Sequence, residues 1–244
     1  MAQLAEKTVV VVGGGSGIGK AVAVAAARDG AQVVLSSRSR DKLEAAAQDI
    51  PRAVVSPVDM TDPASVAAWQ TTLPAIDHLV ISASSAAHGR FQDLSDDALR
   101  AMFDAKFFGP YATARAALPK LRDGGSITFF SGVLSRRPGF NCSGLGAVNG
   151  AVESLAYALA LELGPRLRVN CISPGMIRSD AYAGMPEDAR KTMYEATGES
   201  LPVGRVGTVE EAAEATLFVM SNTYTTGLVL DIDGGHMIRQ YATR

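Results

Sequence analysis

Short β-branched or aliphatic runs alternate along the chain with longer alanine-rich stretches. The runs cover residues 8–12, 32–35, 52–58, 76–81, 126–130, 168–172 and 228–232, and predict seven strands. Their apolar character is continuous rather than alternating. That marks strands buried on both faces, and the helical patterns between them supply the crossovers a parallel sheet requires. The expected architecture is α/β, a doubly wound seven-stranded parallel sheet with helices on both faces, formed by residues 1–244 as one domain. Ser95, followed by Asp96 and Asp97, reads as the cap of a long helix whose stripe is Leu99, Phe103, Phe107 and Tyr111. Pro110 should bend it. A second long helix spans Ser143–Leu163, where Gly144, Gly146, Ala147, Gly150 and Ala151 allow close backbone approach. Residues 176–202, ahead of a helix opening at Thr208, have no regular period and read as a mobile flap.

Composition narrows the class. Of 244 residues 47% are apolar and 20% charged, with 23 basic side chains against 25 acidic ones, for a formal charge of -2. Disorder and collagen-like repeats are excluded, and a near-neutral balance without charge blocks gives no reason to expect nucleic acid or a membrane as partner. A small-molecule substrate is expected instead. The two cysteines, Cys142 and Cys171, cannot build a disulfide framework, so a reducing cytoplasm is expected. Residues 1–8 carry Glu6 and no long apolar stretch, so neither signal peptide nor anchor is expected, and apolar runs such as 21–27 fall short of the roughly 18 residues of a spanning helix. His78, His88 and His236 lie far apart, and no metal site is expected.

The first strand runs into Gly13-Gly14-Gly15-Ser16-Gly17-Ile18-Gly19 and then a helix. Glycines there let the backbone turn tightly and approach a pyrophosphate, whose charge meets free N–H groups and the positive end of the helix. The setting of strand, turn, helix and second strand makes this a nucleotide cradle in a Rossmann fold; the alternative is a merely glycine-rich turn. Beyond the second strand, where an NAD-preferring fold places Asp or Glu, stands Ser36-Ser37-Arg38-Ser39-Arg40. A guanidinium among hydroxyls suits a 2'-phosphate, and no carboxylate is present to bond a free ribose hydroxyl. NADP is therefore favoured as cofactor, against the reading of Arg38 and Arg40 as solvated loop residues.

On these residues the chain resembles the short-chain dehydrogenase/reductase family, over nearly its whole length. The glycine loop matches the family's TGxxxGIG with Val12 in place of Thr, and further matches are Val58-Asp59-Met60-Thr61-Asp62, Arg168-Val169-Asn170-Cys171-Ile172-Ser173-Pro174-Gly175, Gly204-Arg205-Val206-Gly207-Thr208 and Asp231-Ile232-Asp233-Gly234-Gly235. The resemblance implies that Asp59 bonds the adenine, that Met60 beside it binds the cofactor, and that Ala83 and Ser84 follow the fourth strand against the cofactor. It further implies that Pro174 and Gly175 set Ile177 against the nicotinamide carboxamide, with Ser179 nearby. It also implies a homotetramer or homodimer built on the two long helices and the last strand.

The catalytic positions depart from that pattern. In the family a Tyr in a YxxxK pair protonates the forming alkoxide, the Lys lowers that Tyr's pKa and binds the ribose, and an earlier Ser orients the carbonyl. Laying residues 125–132 on the strand-end motif puts Gly132 at the Ser position, Leu145 at the Tyr position and Asn149 at the Lys position. No tyrosine in the chain is followed four residues later by lysine, and Lys106 occupies the position of the family's helix Asn. The exchange between Lys106 and Asn149 suggests that Lys106 brings a cation into the same pocket from the opposite helix; the alternative is a solvated or subunit-interface lysine.

Leu145 donates no proton, and loss of a positioned acid costs a factor of about 100 to 10,000. The implied activity is NADP(H)-dependent hydride transfer to or from a small substrate by a non-standard mechanism, on an iminium or another polarised acceptor, or with a replacement donor. Ser131, Ser135, Ser143, Asn141, Cys142, His88 and Lys106 are the polar candidates, with Ser131 best placed unless its hydroxyl merely bonds backbone. Leu145, Phe140 and Met176 offer apolar pocket walls, and Arg136 and Arg137 meet either an anionic substrate or water. The competing class is an NADP(H)-binding sensor without turnover.

Overall fold

The computed structural model describes residues 3–82 and 86–239. Nine strands and eight α-helices are seen among them: β1 (Thr8–Val12), α1 (Gly17–Arg28), β2 (Gln32–Ser36), α2 (Arg40–Ala47), β3 (Val54–Val55), α3 (Pro63–Thr72), β4 (Ile76–Ile81), α4 (Asp96–Phe103), α5 (Gly109–Ala117), β5 (Leu121–Phe130), α6 (Ser143–Leu163), β6 (Arg168–Pro174), β7 (Ile177–Arg178), α7 (Glu187–Glu199), β8 (Gly207–Thr208), α8 (Val209–Ser221) and β9 (Val229–Ile232). Seven of the strands form one sheet in the order β3-β2-β1-β4-β5-β6-β9, every neighbouring pair parallel.

The hydrophobic runs explain both layers. Val10, Val12, Leu79, Ile81, Ile127 and Phe129 turn to one face, against α3, α5 and α6; Val9, Val11, Val33, Leu35, Val80 and Ile172 turn to the other, against α1, α2 and α8. Successive side chains of a strand point to opposite faces, so a run apolar at every position belongs between two helical layers. The chain order reverses between β1 and β4, the switch point where ligands of such sheets bind beyond the strand carboxyl ends. The ends of β1, β2 and β4 are level, Val12 standing beside Ser36 and Ile81, while β5 runs on past its Ile81–Phe129 pair to Phe130 and β6 past its Phe130–Ile172 pair to Pro174.

Several expectations are corrected. The third run forms a ladder only at Val54–Val55, although Ser56 N–H and Val58 N–H still donate to Leu35 and Ser37 carbonyls. Residues 176–202 are far more regular than their pattern suggested, holding β7, a 3-10 turn and the thirteen-residue α7, and β7 pairs with β8. Instead of a simple bend before Pro110, the helix widens into a π turn at Asp104–Phe108, which accommodates a residue without an N–H. The turn shifts the register, so Met102, Lys106, Pro110, Thr113, Ala114 and Ala117 are buried while Tyr111 is exposed. By length and composition α6 would suffice to cross a membrane, despite the short uninterrupted runs, but it buries Asn149 and Glu153 at its centre as a core helix does.

Trp69, the chain's only tryptophan, is 2% exposed and donates Nε1–H to Ser36 Oγ at 2.9 Å, directly beneath the end of β2. Trp69→Phe leaves that fully buried hydroxyl without its partner and is expected to destabilise the fold by about 1–3 kcal/mol, read as a lowered midpoint in urea unfolding.

Candidate active site

The glycine loop fills the switch point. Gly13 and Gly17 adopt left-handed φ values of 93° and 53°, and the N–H groups of Gly13 and Gly14 both reach the Ser36 carbonyl, at 2.7 and 3.2 Å. A Cβ on Gly14 would stand 2.8 Å from Leu35 Cδ2, and one on Gly19 would overlap the Gly13 carbonyl. Ser16 caps α1 in extended conformation with no side-chain bond to the helix, leaving Gly15, Ser16, Gly17 and Ile18 grouped around the helix start. The loop is packed too closely for side chains at Gly14 and Gly19 and offers bare backbone at the helix start, which fits a pyrophosphate. Ser179 closes over it from the flap, its Cβ 3.9 Å from the place a Gly17 Cβ would take.

At the end of β2, Ser37 Oγ donates to the Ser39 carbonyl at 3.5 Å and Ser39 Oγ caps α2 by accepting from Lys42 N–H at 3.3 Å. Arg38 is exposed, whereas Arg40 pairs with Glu44 at 3.5 Å. Asp59 accepts from Thr61 N–H and Oγ1 at 2.9 and 2.7 Å; these bonds, with Arg38 adding attraction, hold its carboxyl below the ordinary range. Met60 packs on the start of α5, where a Gly109 Cβ would meet its Cβ at 2.9 Å. Ala83 and Ser84 lie outside the described residues. Pro174 ends β6, Gly175 N–H donates to Ile232 at 3.0 Å, and Ile177 is buried in β7 beside Gly207.

The residues aligned with the family's catalytic positions gather at the end of β5. Asn149 Nδ2 donates to the Gly132 carbonyl at 3.2 Å, and a Gly132 Cβ would stand 3.0 Å from that nitrogen. Gly132 and Asn149 therefore fit each other. Asn149 Oδ1 is buried without a hydrogen-bond partner, an acceptor suited to a ribose hydroxyl. Lys106 is neither solvated nor at a surface. It is 6% exposed inside the π turn and donates Nζ–H to the Ser131 carbonyl at 3.1 Å. The two exchanged residues thus clamp consecutive carbonyls. Leu145 is half-buried one turn before Asn149.

Ser131 does not bond backbone through its hydroxyl. It donates to Glu153 Oε1 at 2.9 Å, as Ser135 does at 2.6 Å. Sequence reasoning missed Glu153, whose signal was an acid at the centre of a mostly apolar helix. Its second oxygen meets Arg136 Nε at 3.3 Å, and Arg136 bridges on to Asp231 and to Ser173 Oγ. Arg137 donates to the Arg239 carbonyl at 2.8 Å. A cavity of about 770 Å³ opens beside α6, lined among others by Arg90, Phe91, Leu134, Phe140 and Cys142.

Fold and cradle together define a dinucleotide-binding α/β protein. A family model described as enoyl-(acyl carrier protein) reductase matches residues 13–237. The galactitol 2-dehydrogenase (L-tagatose-forming) of Cereibacter sphaeroides is 34% identical over 243 residues, covering 93% of this chain and 94% of that one. A small-chain dehydrogenase solved in complex with NADPH superimposes with a TM-score of 0.84 at 36% identity, over 96% of this chain and 99% of its own. The ligand-free aldohexose dehydrogenase of Thermoplasma acidophilum gives 0.89 at 27% identity, over 100% and 98%. The chain belongs to the short-chain dehydrogenase/reductase family of oxidoreductases.

Two tests follow from the strand end. Gly132→Ser forces its Cβ on Asn149 and is expected to lower stability by about 1–2 kcal/mol, with Asn149→Ala relieving part of that cost in the double variant; thermal melts of the cycle measure the coupling. Burial drops the Lys106 ammonium from 10.5 to about 8. The unfolded chain then binds more protons between those values, so stability rises with pH across that window. Lys106→Met should be more stable than the parent at pH 7, by at most about 3 kcal/mol, and the gap should close toward pH 10.5 in urea titrations.

Proposed function

We propose that this protein is an NADP(H)-dependent oxidoreductase that transfers hydride to or from a small substrate without a Tyr–Lys acid pair. The observation that carries the reading is the contrast between an intact nucleotide cradle and a strand end where Gly132 and Asn149 close on each other. Ser37, Arg38 and Ser39 surround the start of α2, where residues 36–40 offer hydroxyls and guanidinium but no carboxylate. That set fits a 2'-phosphate. The small-chain dehydrogenase solved with NADPH, similar over its whole length, supports the same cofactor.

Bound at the switch point, the dinucleotide supplies hydride chemistry. The chain's own residues would do the rest: the glycine loop would seat the pyrophosphate, Asp59 and Met60 would lie at the adenine, and the unpartnered Asn149 Oδ1 would accept from the nicotinamide ribose. Pro174, Gly175, Ile177 and Ser179 present the β6 turn to the carboxamide. Lys106 acts as a positioning residue, holding the Ser131 carbonyl and through it the strand end. An acceptor already polarised, such as an iminium or an activated carbonyl, suits a pocket in which Leu145 donates nothing.

Assembly as a homotetramer or homodimer fits the exposed Phe108 (57%), Tyr157 (52%) and Leu161 (85%) on the two long helices. The free thiols Cys142 and Cys171 suit a reducing compartment such as the cytoplasm.

NADPH is expected to quench or transfer energy from Trp69, which sits beneath the adenosine end of the site, and to bind at least tenfold more tightly than NADH. Arg38→Asp should remove that preference by weakening NADPH about tenfold or more. Equal affinities in the parent protein would refute the cofactor assignment, and NADPH binding that no added substrate converts to oxidation would favour a sensor.

A further inference from the structure

Cys142 immediately precedes α6, and its Sγ lies 3.4 Å from Nδ1 of His88. The two residues come from segments far apart in the chain, tied together by Gly89 N–H donating to the Asn141 carbonyl at 3.0 Å. At about 100° per residue, Cys142, Leu145, Asn149 and Glu153 fall on one stripe of the helix. Asn149 and Glu153 turn that stripe toward the end of β5, through Gly132 and Ser131. Cys142 leads into that stripe, three residues before Leu145, and lines the cavity with Leu134, Phe140 and Arg90.

Three of the other candidate donors are committed elsewhere. Ser131 and Ser135 both give their hydroxyl protons to Glu153, and Lys106 is bonded to the Ser131 carbonyl inside the core. Cys142 is half-buried on the cavity wall, and the exposed His88 lies beside its sulfur. Burial raises the Cys142 thiol, which keeps the sulfur protonated at neutral pH. The ionisable groups around it are His88 and Arg90 from the segment after β4, and Tyr182 from the flap, whose phenol is itself raised mainly by burial, with Tyr194 and then Cys142 contributing.

Resting on the function proposed above, we propose that Cys142, recharged through His88, is the proton donor to the oxygen of an activated, largely apolar carbonyl substrate lodged in this cavity. As hydride from the reduced dinucleotide reaches the carbonyl carbon, the C=O π pair moves to oxygen, the S–H bond of Cys142 breaks and an O–H bond forms. The thiolate then recovers a proton through the His88 ring, which takes one from water. The substrate gains one hydride and one proton and leaves as the alcohol.

The test uses the full-length protein, NADPH and ethyl benzoylformate, an aromatic α-keto ester. Single-turnover loss of absorbance at fixed NADPH saturation is expected in the parent and should slow about 100-fold or more in Cys142→Ala, with the NADPH dissociation constant unchanged by Trp69 fluorescence. His88→Gln should change the pH profile of that step rather than the binding. Independently of turnover, iodoacetamide followed by peptide mass spectrometry should label Cys142 and spare buried Cys171, with NADPH slowing the labelling severalfold and His88→Gln altering its pH dependence. A Cys142→Ala variant as fast as the parent overturns the proposal. So does a parent that binds NADPH yet leaves the ester unreduced, or labelling of Cys142 indifferent to both NADPH and His88→Gln. Failure to bind NADPH at all overturns the function reading itself, and the two failures are told apart by the fluorescence titration.

Discussion

A parallel sheet covered on both faces leaves its strand ends as the main places where backbone groups and solvent can meet. Because β1, β2, β4, β5 and β6 all run the same way, with β1, β2 and β4 ending level and β5 and β6 reaching only slightly beyond them, every segment that leaves them is delivered to one rim. The order reversal between β1 and β4 then opens a crevice in that rim. The glycine loop, the β2 corner, the strand end at Ser131 and the turn after Pro174 are neighbours for this reason alone. Their chemistry follows from what each corner carries: bare backbone at the first, hydroxyls and a guanidinium at the second, carbonyls held by buried donors at the third.

Those held carbonyls fix the end of β5. A lysine inside an apolar layer is costly, and here it is tolerated because the widened helical turn lets Nζ reach the Ser131 carbonyl. Next to it, an asparagine amide occupies the space that any side chain at Gly132 would need. Glu153 gathers Ser131, Ser135 and Arg136, and Arg136 carries the linkage across to Asp231 of β9. The strand end is therefore fixed from three sides: α6, the π turn and the last strand of the sheet.

Much of this was legible in the sequence. The valine run marked β1 to the residue, because burial on both faces favours apolarity at successive positions, and β4 was legible to the residue too although buried Asp77 and His78 interrupt its apolar run. The glycine loop was legible because the backbone itself does the binding there. What escaped was structure made by contact rather than by local pattern. Residues 187–199 fold as α7 although their polar composition carries no strong helical stripe, and the 52–58 run pairs at only two residues because β3 is an edge. The aromatic stripe expected from a regular period was displaced by the π turn, and the hydroxyl of Ser131 found an acid eleven residues into a helix whose centre reads as apolar.

The π turn at Asp104–Phe108 amounts to one residue more than a regular helix would hold. Everything from Gly109 to Ala117 is consequently rotated by about 100° relative to an uninterrupted continuation of α4. Evolutionary loss of a single residue within that turn would straighten the helix, withdraw the amine from beneath the sheet, and swing Phe108 and Tyr111 off the outer surface in the same stroke. The inner clamp and the outward aromatic face are in this sense mechanically one trait, inherited or lost together.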